Sequence, residues 1–336
     1  MTTIAATRPA FDRRKIMVFL LDHIIEVFLI LLIIGLTFGT KGFMTWANWM
    51  NIFRANSLKG VIAFGMTMVI IAGLIDLSIG STVGLAGVIV ALTCQSLTAA
   101  GVDLNVACII GMVLCLLLAV VIGWLHGFFQ HNTGMPPFIV TLVSLGLLYG
   151  LAGILSGGFP IANQFPEWFN QIGAGRIGGQ NGIPIPAVVL LISFIVMLVI
   201  MNYTTTGRAA YAVGGNPESA RLSGINVGKT KIFAFVIVQI LAVLSGFMTS
   251  GQVMSGTYSF GKTWEMDVIS MAIIGGTSFT GGSGTVWGTL LGVLFIGVIA
   301  NGMTLLNFDI YTQNVVRAVV MFLAVLISSY RSKVKA

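Results

Sequence analysis

Charge is scarce in this 336-residue chain. Asp, Glu, Lys and Arg make up 8% of it, against about 25% in an ordinary soluble domain. Seventeen basic and ten acidic side chains cannot cover the surface of a soluble protein of this length. Soluble enzymes, coiled coils, disordered chains and collagen-like rods are excluded together. Cysteine is scarce too. The three present, Cys94, Cys108 and Cys115, lie inside apolar runs, with no CxxC and no Cys/His cluster. They read as small packing residues rather than a disulfide framework or metal site. No GxxxxGK[ST] loop exists: Gly224-Ile-Asn-Val-Gly-Lys229-Thr230 is one residue short between its glycines and follows no strand, so the chain is not expected to hydrolyse ATP itself. No Ser/His/Asp or Cys/His arrangement points to catalysis, and no cofactor is implied.

What fills the chain is apolar sequence. No Asp, Glu, Lys or Arg lies between Asp76 and Asp103, Asp103 and Glu167, Arg176 and Arg208, Lys231 and Lys262, or Asp267 and Asp309. A transmembrane helix needs roughly 20 apolar residues. The run after Asp103 is broken near residues 126–137 and the run after Asp267 by Gly281, Gly282 and Gly284, so each holds two spans. The count is about ten: near 18–39, 58–75, 77–98, 106–125, 138–156, 186–203, 231–250, 266–280, 286–306 and 311–329. The runs are continuously apolar, unlike the roughly 10-residue alternating segments of membrane barrels, and in lipid a helix satisfies its own backbone. The expected fold is an all-α polytopic membrane protein, one transmembrane domain over 1–336, with interrupted helices near Asp76 and Gly281. Arg13-Arg14-Lys15 has the charge of a signal-peptide start, but no small-residue cleavage site follows, and an uncleaved first helix is expected.

Orientation follows from the basic residues. With the N-terminus inside, inner segments hold Arg8, Arg13, Arg14, Lys15, Arg208, Arg221, Lys229, Lys231, Arg331, Lys333 and Lys335. Outer segments hold Lys41, Arg54, Lys59, Arg176 and Lys262. Eleven against five places both termini in the cytoplasm. The net charge of +7 is thus a topology signal. No basic face with interleaved aromatics lies outside these loops, so nucleic acid is not an expected partner. Asp76 and Arg317 are the charges singled out near a span, and His23, His126 and His131 read as interfacial. Proton- and ion-driven carriers bury ionisable groups in mid-span, so this bareness argues against them.

The cytoplasmic stretch 204–231 is the most informative. Asn216-Pro217-Glu218 reads as a helix start: an N-cap, a first-turn proline and a carboxylate on the positive end of the dipole. Gly224 is placed to close the helix in a left-handed conformation. The helix would have about two turns, too few for stability alone in water, so it must dock on its own bundle or on a partner.

Here the sequence resembles a known family. Glu218-Ser219-Ala220-Arg221-Leu222-Ser223-Gly224 looks like the EAA…G coupling motif of ABC-importer permeases, with Ser replacing the first Ala. The surrounding Thr206-Gly-Arg-x-x-Tyr-Ala-x-Gly-Gly-Asn-Pro-Glu-x-Ala-x-x-Ser-Gly-Ile-x-Val is similar to monosaccharide permeases of the ribose, xylose and galactose type. Gly73-Leu-Ile-Asp-Leu-Ser-Ile-Gly80 and Trp264-Glu-Met-Asp-Val-Ile-Ser-Met-Ala…Gly-Gly-Thr-Ser-Phe-Thr-Gly-Gly-Ser-Gly284 resemble two further motifs of that family, Met266 standing where Leu is usual. The resemblance runs from about Asn48 to Val325. It implies a multi-pass permease subunit of the bacterial cytoplasmic (inner) membrane, working as a dimer with a cytoplasmic ATP-binding subunit and an extracytoplasmic solute-binding protein. Arg208, Glu218, Ala220, Arg221 and Gly224 would then engage the ATPase, with the two arginines on its acidic groups.

A solute pathway has its own sequence signal. Ile70-Ile71-Ala72-Gly73 echoes Ile273-Ile274-Gly275-Gly276 at a spacing of 203, and interrupted spans at matching places in two halves point to a transport site. Asp76, Ser78, Thr277 and Ser278, with Asn301 near the outer end, are the candidate pathway residues, and hydroxyl-rich neutral ligands suit them. Two readings stay open: Asp76 either caps a helix at its break or touches solute. The glycine pairs Gly80/Gly84, Gly123/Gly127, Gly146/Gly150 and Gly284/Gly288 either serve the pathway or mark close helix contacts. Residues 159–186 form the longest outer loop, a dock for the binding protein or a plain connection. The competing functions are an ion-coupled secondary carrier acting alone and a channel.

Overall fold

The computed structural model describes residues 23–162 and 164–335. The basic N-terminal residues Arg8, Arg13, Arg14 and Lys15 and the first residues of the expected first span lie outside it. The chain runs α1 (Ile24–Gly39), α2 (Trp46–Ile71), α3 (Ile79–Ala99), α4 (Leu104–Asn132), α5 (Pro137–Leu155), β1 (Ile161–Ala162), α6 (Glu167–Ala174), β2 (Arg176–Ile177), β3 (Ile183–Pro184), α7 (Ile185–Tyr203), α8 (Thr205–Gly215), α9 (Pro217–Leu222), α10 (Val227–Val253), β4 (Ser255–Gly256), α11 (Trp264–Ile274), α12 (Val286–Leu305) and α13 (Ile310–Lys335). Two tiny antiparallel ribbons, β1 with β4 and β2 with β3, tie down loops.

Among the described residues, seven helices are long and apolar enough to cross a membrane: α2, α3, α4, α5, α7, α10 and α12. The apolar parts of α1 and α13 are shorter, and α11 has only 11 residues.

Helix α2 is the axis. Val61 to Ile71 are buried without interruption, enclosed by α7, α10, α11 and α12. A helix apolar all round belongs in the middle of a bundle. By contrast α4, α5 and α7 bury only one stripe and turn Ile109, Leu117, Val143, Leu147, Leu191 and Ile195 outward, as lipid-facing helices do.

The glycine pairs divide by what they touch. Cβ atoms on Gly123 and Gly127 would lie 2.5 Å from the Val236 Cα and from the Ile232 side chain of α10, so this pair sets a close crossing of two helices. Gly80 and Gly84 of α3 instead face the carbonyls of Gly261 and Tyr258, in an irregular stretch between β4 and α11. Gly146 and Gly150 meet nothing within 4 Å.

Two placements differ from the sequence reading. Lys59 and Arg54 are not in an outer loop. They sit within α2, Lys59 near its midpoint, because the helix starts twelve residues before the apolar run that marked it. His126 is not interfacial but 2% exposed.

Candidate functional site

Both expected helix breaks are present and share one local design. Helix α2 ends with Gly73 N–H donating to Ile70 O (2.9 Å) and Leu74 N–H to Val69 O (3.0 Å). Helix α11 ends with Gly276 N–H donating to Ile273 O (2.9 Å) and Thr277 N–H to Ala272 O (3.1 Å). This pairing is the Schellman closure. It needs a left-handed residue, and Gly73 and Gly276 have φ of +75° and +88°. The echo between the two halves is therefore a repeated way of ending a helix.

After the first break, residues 74–77 are unwound and Asp76 is fully buried. Its carboxylate accepts from the Ser78 backbone N–H (2.8 Å) and hydroxyl (2.7 Å), and from Gln239 Nε2 (2.8 Å). His126 Nδ1 lies 3.4 Å from it. The network continues outward: Thr82 donates to Gln239 Oε1 (2.6 Å), and His126 Nε2 meets Ser144 Oγ at 2.7 Å. A buried carboxylate is tolerated only when it is paired and hydrogen-bonded; here Ser78 beside it, Gln239 of α10 and His126 of α4 are its partners, and α3 and α5 carry the network one step further. Of the expected pathway residues, Asp76 and Ser78 are brought together. Sequence reasoning missed Gln239, His126, Thr82 and Ser144. Gln239, a lone amide inside the apolar run of α10, was the available signal.

Thr277 and Ser278 lie in the second break, 275–285, away from this network. Thr277 is fully buried, its hydroxyl without a partner, and Ser278 N–H donates to Ser283 O (2.9 Å). Asn301 is elsewhere again. It exchanges two hydrogen bonds with Asn48 of α2 (3.0 and 2.8 Å) and lines a cavity between α2, α11, α12 and α13.

The stretch 204–231 folds into two short helices and the first turn of α10. The start at Asn216 is as read: its side chain accepts from Glu218 N–H (3.0 Å) and Ser219 N–H (2.9 Å), with Pro217 in the first turn. Gly224, φ +83°, closes α9. Ala220 is buried, whereas Arg208, Glu218, Arg221 and Leu222 are exposed. Arg221 already forks onto Glu218, Nε–Oε2 3.1 Å and Nη2–Oε1 2.6 Å. This partner holds the Glu218 carboxyl below the usual range.

The preceding helix α8 was not read from the sequence. It joins α9 to both breaks. Gly282 N–H of the second break donates to Ile71 O of the first (2.8 Å). The Tyr211 hydroxyl of α8 donates to Gly284 O (2.9 Å). A Cβ on Gly281 would lie 3.0 Å from Gly214 O and 3.1 Å from Gly73 Cα. Three chain segments thus meet backbone to backbone where only glycines fit.

A bundle of apolar helices with paired interruptions and a short capped helix presented on a loop defines a multi-pass membrane permease. A family model for the permease component of the branched-chain amino acid transport system matches residues 48–325, and the chain belongs to this permease family. It is 36% identical to the ribose import permease protein of Haemophilus influenzae over 93% of this chain and 94% of that one. It is 34% identical to a probable ABC transporter permease protein of Escherichia coli over 92% and 90%, and 30% identical to the galactose/methyl galactoside import permease protein of Escherichia coli over 96% and 98%. No solved structure matches. The chain is a multi-pass permease of the bacterial cytoplasmic membrane.

Proposed function

We propose that this chain is the transmembrane subunit of an ABC importer that carries a monosaccharide, or a similar small neutral polar solute, inward. ATP is hydrolysed by a separate cytoplasmic subunit, solute is delivered by an extracytoplasmic binding protein, and two permease chains form the pathway. Ten crossings with both termini inside is the topology we adopt, seven of the described helices being long and apolar enough to cross by themselves. The observation that carries the reading is identity to ribose and galactose import permeases over nine-tenths of their lengths.

In this reading α9 is the coupling helix. Arg208, Glu218, Ala220, Arg221 and Gly224 form or shape the surface that meets the ATPase. Closure of the ATPase dimer would push α9, and α8 would pass that push to both helix breaks through the glycine contact. Asp76 and Ser78 then act as the knot that fixes the first break, and Thr277 and Ser278 lie in the second.

The test is uptake by the reconstituted complex. Sugar accumulation that needs ATP, the ATPase subunit and the binding protein, and is indifferent to proton or sodium gradients, supports it. A second reading, an ion-coupled carrier acting alone, is favoured by the buried Asp76 and His126 and the partly buried Lys59 and Asp267. Gradient-driven uptake by the purified chain alone would establish it and refute the first.

A further inference from the structure

Three charges that the sequence reading did not expect together meet at the middle of the bundle. Lys59 of α2 and Asp267 of α11 form a close ion pair, and Lys59 also lies 5.3 Å from the Trp264 ring. Arg317 of α13 reaches the same Asp267 carboxylate at 3.9 Å. Two cations therefore share one carboxylate. The Arg317 Nε–H is buried without an acceptor, and among apolar spans such a group is expensive to leave unserved.

These three side chains line one wall of a cavity of about 240 Å³ that runs from Thr304, at the end of α12, down to Lys59. Asn51, Asn56 and Asn301 line it as well. The volume is below the roughly 300–1,000 Å³ of sites for drug-sized ligands, so the space suits one small solute. A hydroxyl both donates and accepts, a carboxylate only accepts, a guanidinium only donates, and an amide does each at a different atom. The walls supply all of these within one small volume. They contain no aromatic ring, and the polar groups stand among apolar side chains such as Ile52, Met271 and Ile296.

We propose that this cavity holds a neutral, hydroxyl-rich solute of monosaccharide size during passage, with Arg317 donating to a solute oxygen and Asp267 accepting from a solute hydroxyl. The inference rests on the import reading above, and it places the solute contact at Arg317 and Asp267 rather than at Asp76, whose oxygens are taken up by Ser78 and Gln239.

The test uses the full permease assembled with its ATPase subunit in proteoliposomes, with the solute-binding protein supplied for uptake. Thr304→Cys and Ala55→Cys place thiols on the cavity wall, and Ser223→Cys on an exposed loop is the control. The native cysteines are all buried, so a polar methanethiosulfonate reports the new thiol. Ribose, xylose and galactose are the neutral probes and galacturonate the charged one. A neutral sugar at twice its Kd slows labelling about threefold at both cavity positions and leaves the loop position unchanged. Arg317→Gln abolishes that protection and lowers kcat/KM for ATP-driven uptake about tenfold or more, as loss of a charged hydrogen bond does. ATP-driven sugar uptake without protection at either cavity thiol overturns this site and leaves the import reading standing. Protection by galacturonate alone overturns the neutral assignment. Absence of ATP-driven uptake for any sugar overturns the import reading, and the inference falls with it.

Discussion

A Cβ on Gly214 would lie 1.7 Å from the carbonyl oxygen of Ile71. Gly214 is at the end of α8 and Ile71 at the end of α2, and no side chain can stand between them. Gly214→Ala must therefore push apart segments that the wild type holds in backbone contact. It is expected to cost about 1–3 kcal/mol, as overpacking does, and to uncouple ATP hydrolysis from uptake. The neighbouring Gly215 meets nothing within 4 Å, and Gly215→Ala should stay near wild type, within about 0.5 kcal/mol. Thermal unfolding and the ratio of solute moved to ATP hydrolysed check both. Equal behaviour of the two variants would remove the junction from the coupling route.

Asp76→Asn keeps the shape and changes the hydrogen bonds. The new amide would face the Gln239 amide, donor to donor; turning Gln239 over would reverse its bond with Thr82 and take away its bond to the Ser78 hydroxyl. A loss of about 1–3 kcal/mol is expected for a stranded buried polar group. Adding Gln239→Glu restores a carboxylate opposite an amide and an acceptor for Thr82, so the double variant should recover some of the loss. A double-mutant cycle on unfolding temperature measures this coupling, and additive losses would contradict the network.

The shared carboxylate predicts an asymmetry. Lys59→Met removes one of two cations and leaves Arg317 with Asp267. Asp267→Asn strands both cations; because the three groups are only partly buried, the cost is expected to stay below the roughly 3–5 kcal/mol of breaking a fully buried pair. Yield of assembled permease in the membrane should fall far more for Asp267→Asn than for Lys59→Met. The reverse order would mean that Arg317 does not depend on Asp267.

The cap and the charge of α9 should separate. Asn216→Ala removes the acceptor for two backbone N–H groups and is expected to cost about 1 kcal/mol of helix stability, lowering the ATPase stimulation that loaded binding protein produces. Arg221→Glu leaves the fold intact, because its only described pairing is the exposed one with Glu218, yet should weaken association with the ATPase subunit. Glu218 is held below the usual carboxylate range, so its charge contributes above that range and is lost only as pH falls through it. Coupling should therefore not change around neutral pH through this pair. Co-purification of the two subunits reads the charge effect, and undiminished binding by Arg221→Glu would remove that arginine from the interface.

Much of the fold was legible because lipid enforces a simple pattern. An apolar run long enough to span must be a helix, so α3, α4, α5, α7, α10 and α12 could be read directly. The caps of α9 were legible for a local reason: Asn216, Pro217 and Gly224 act on backbone within a few residues of themselves. The paired helix ends at Gly73 and Gly276 were visible as an echo, because the same closure needs the same residue. The start of α2 was not. Residues 46–57 are polar enough to look like a loop, and they are helical because the enclosing helices bury their apolar face.

The sequence by itself determined membrane residence, the helical class, the two interruptions and the capped helix that starts at Asn216. Each follows from composition or from short-range backbone chemistry. Only the tertiary structure decided which polar groups meet. Asp76 finds Gln239 163 residues away, Lys59 finds Asp267 208 residues away, and Gly214 packs against Ile71 across the loop. A buried charge or an unshielded carbonyl states its need in the sequence, but its partner is chosen by the packing of helices that lie far apart along the chain.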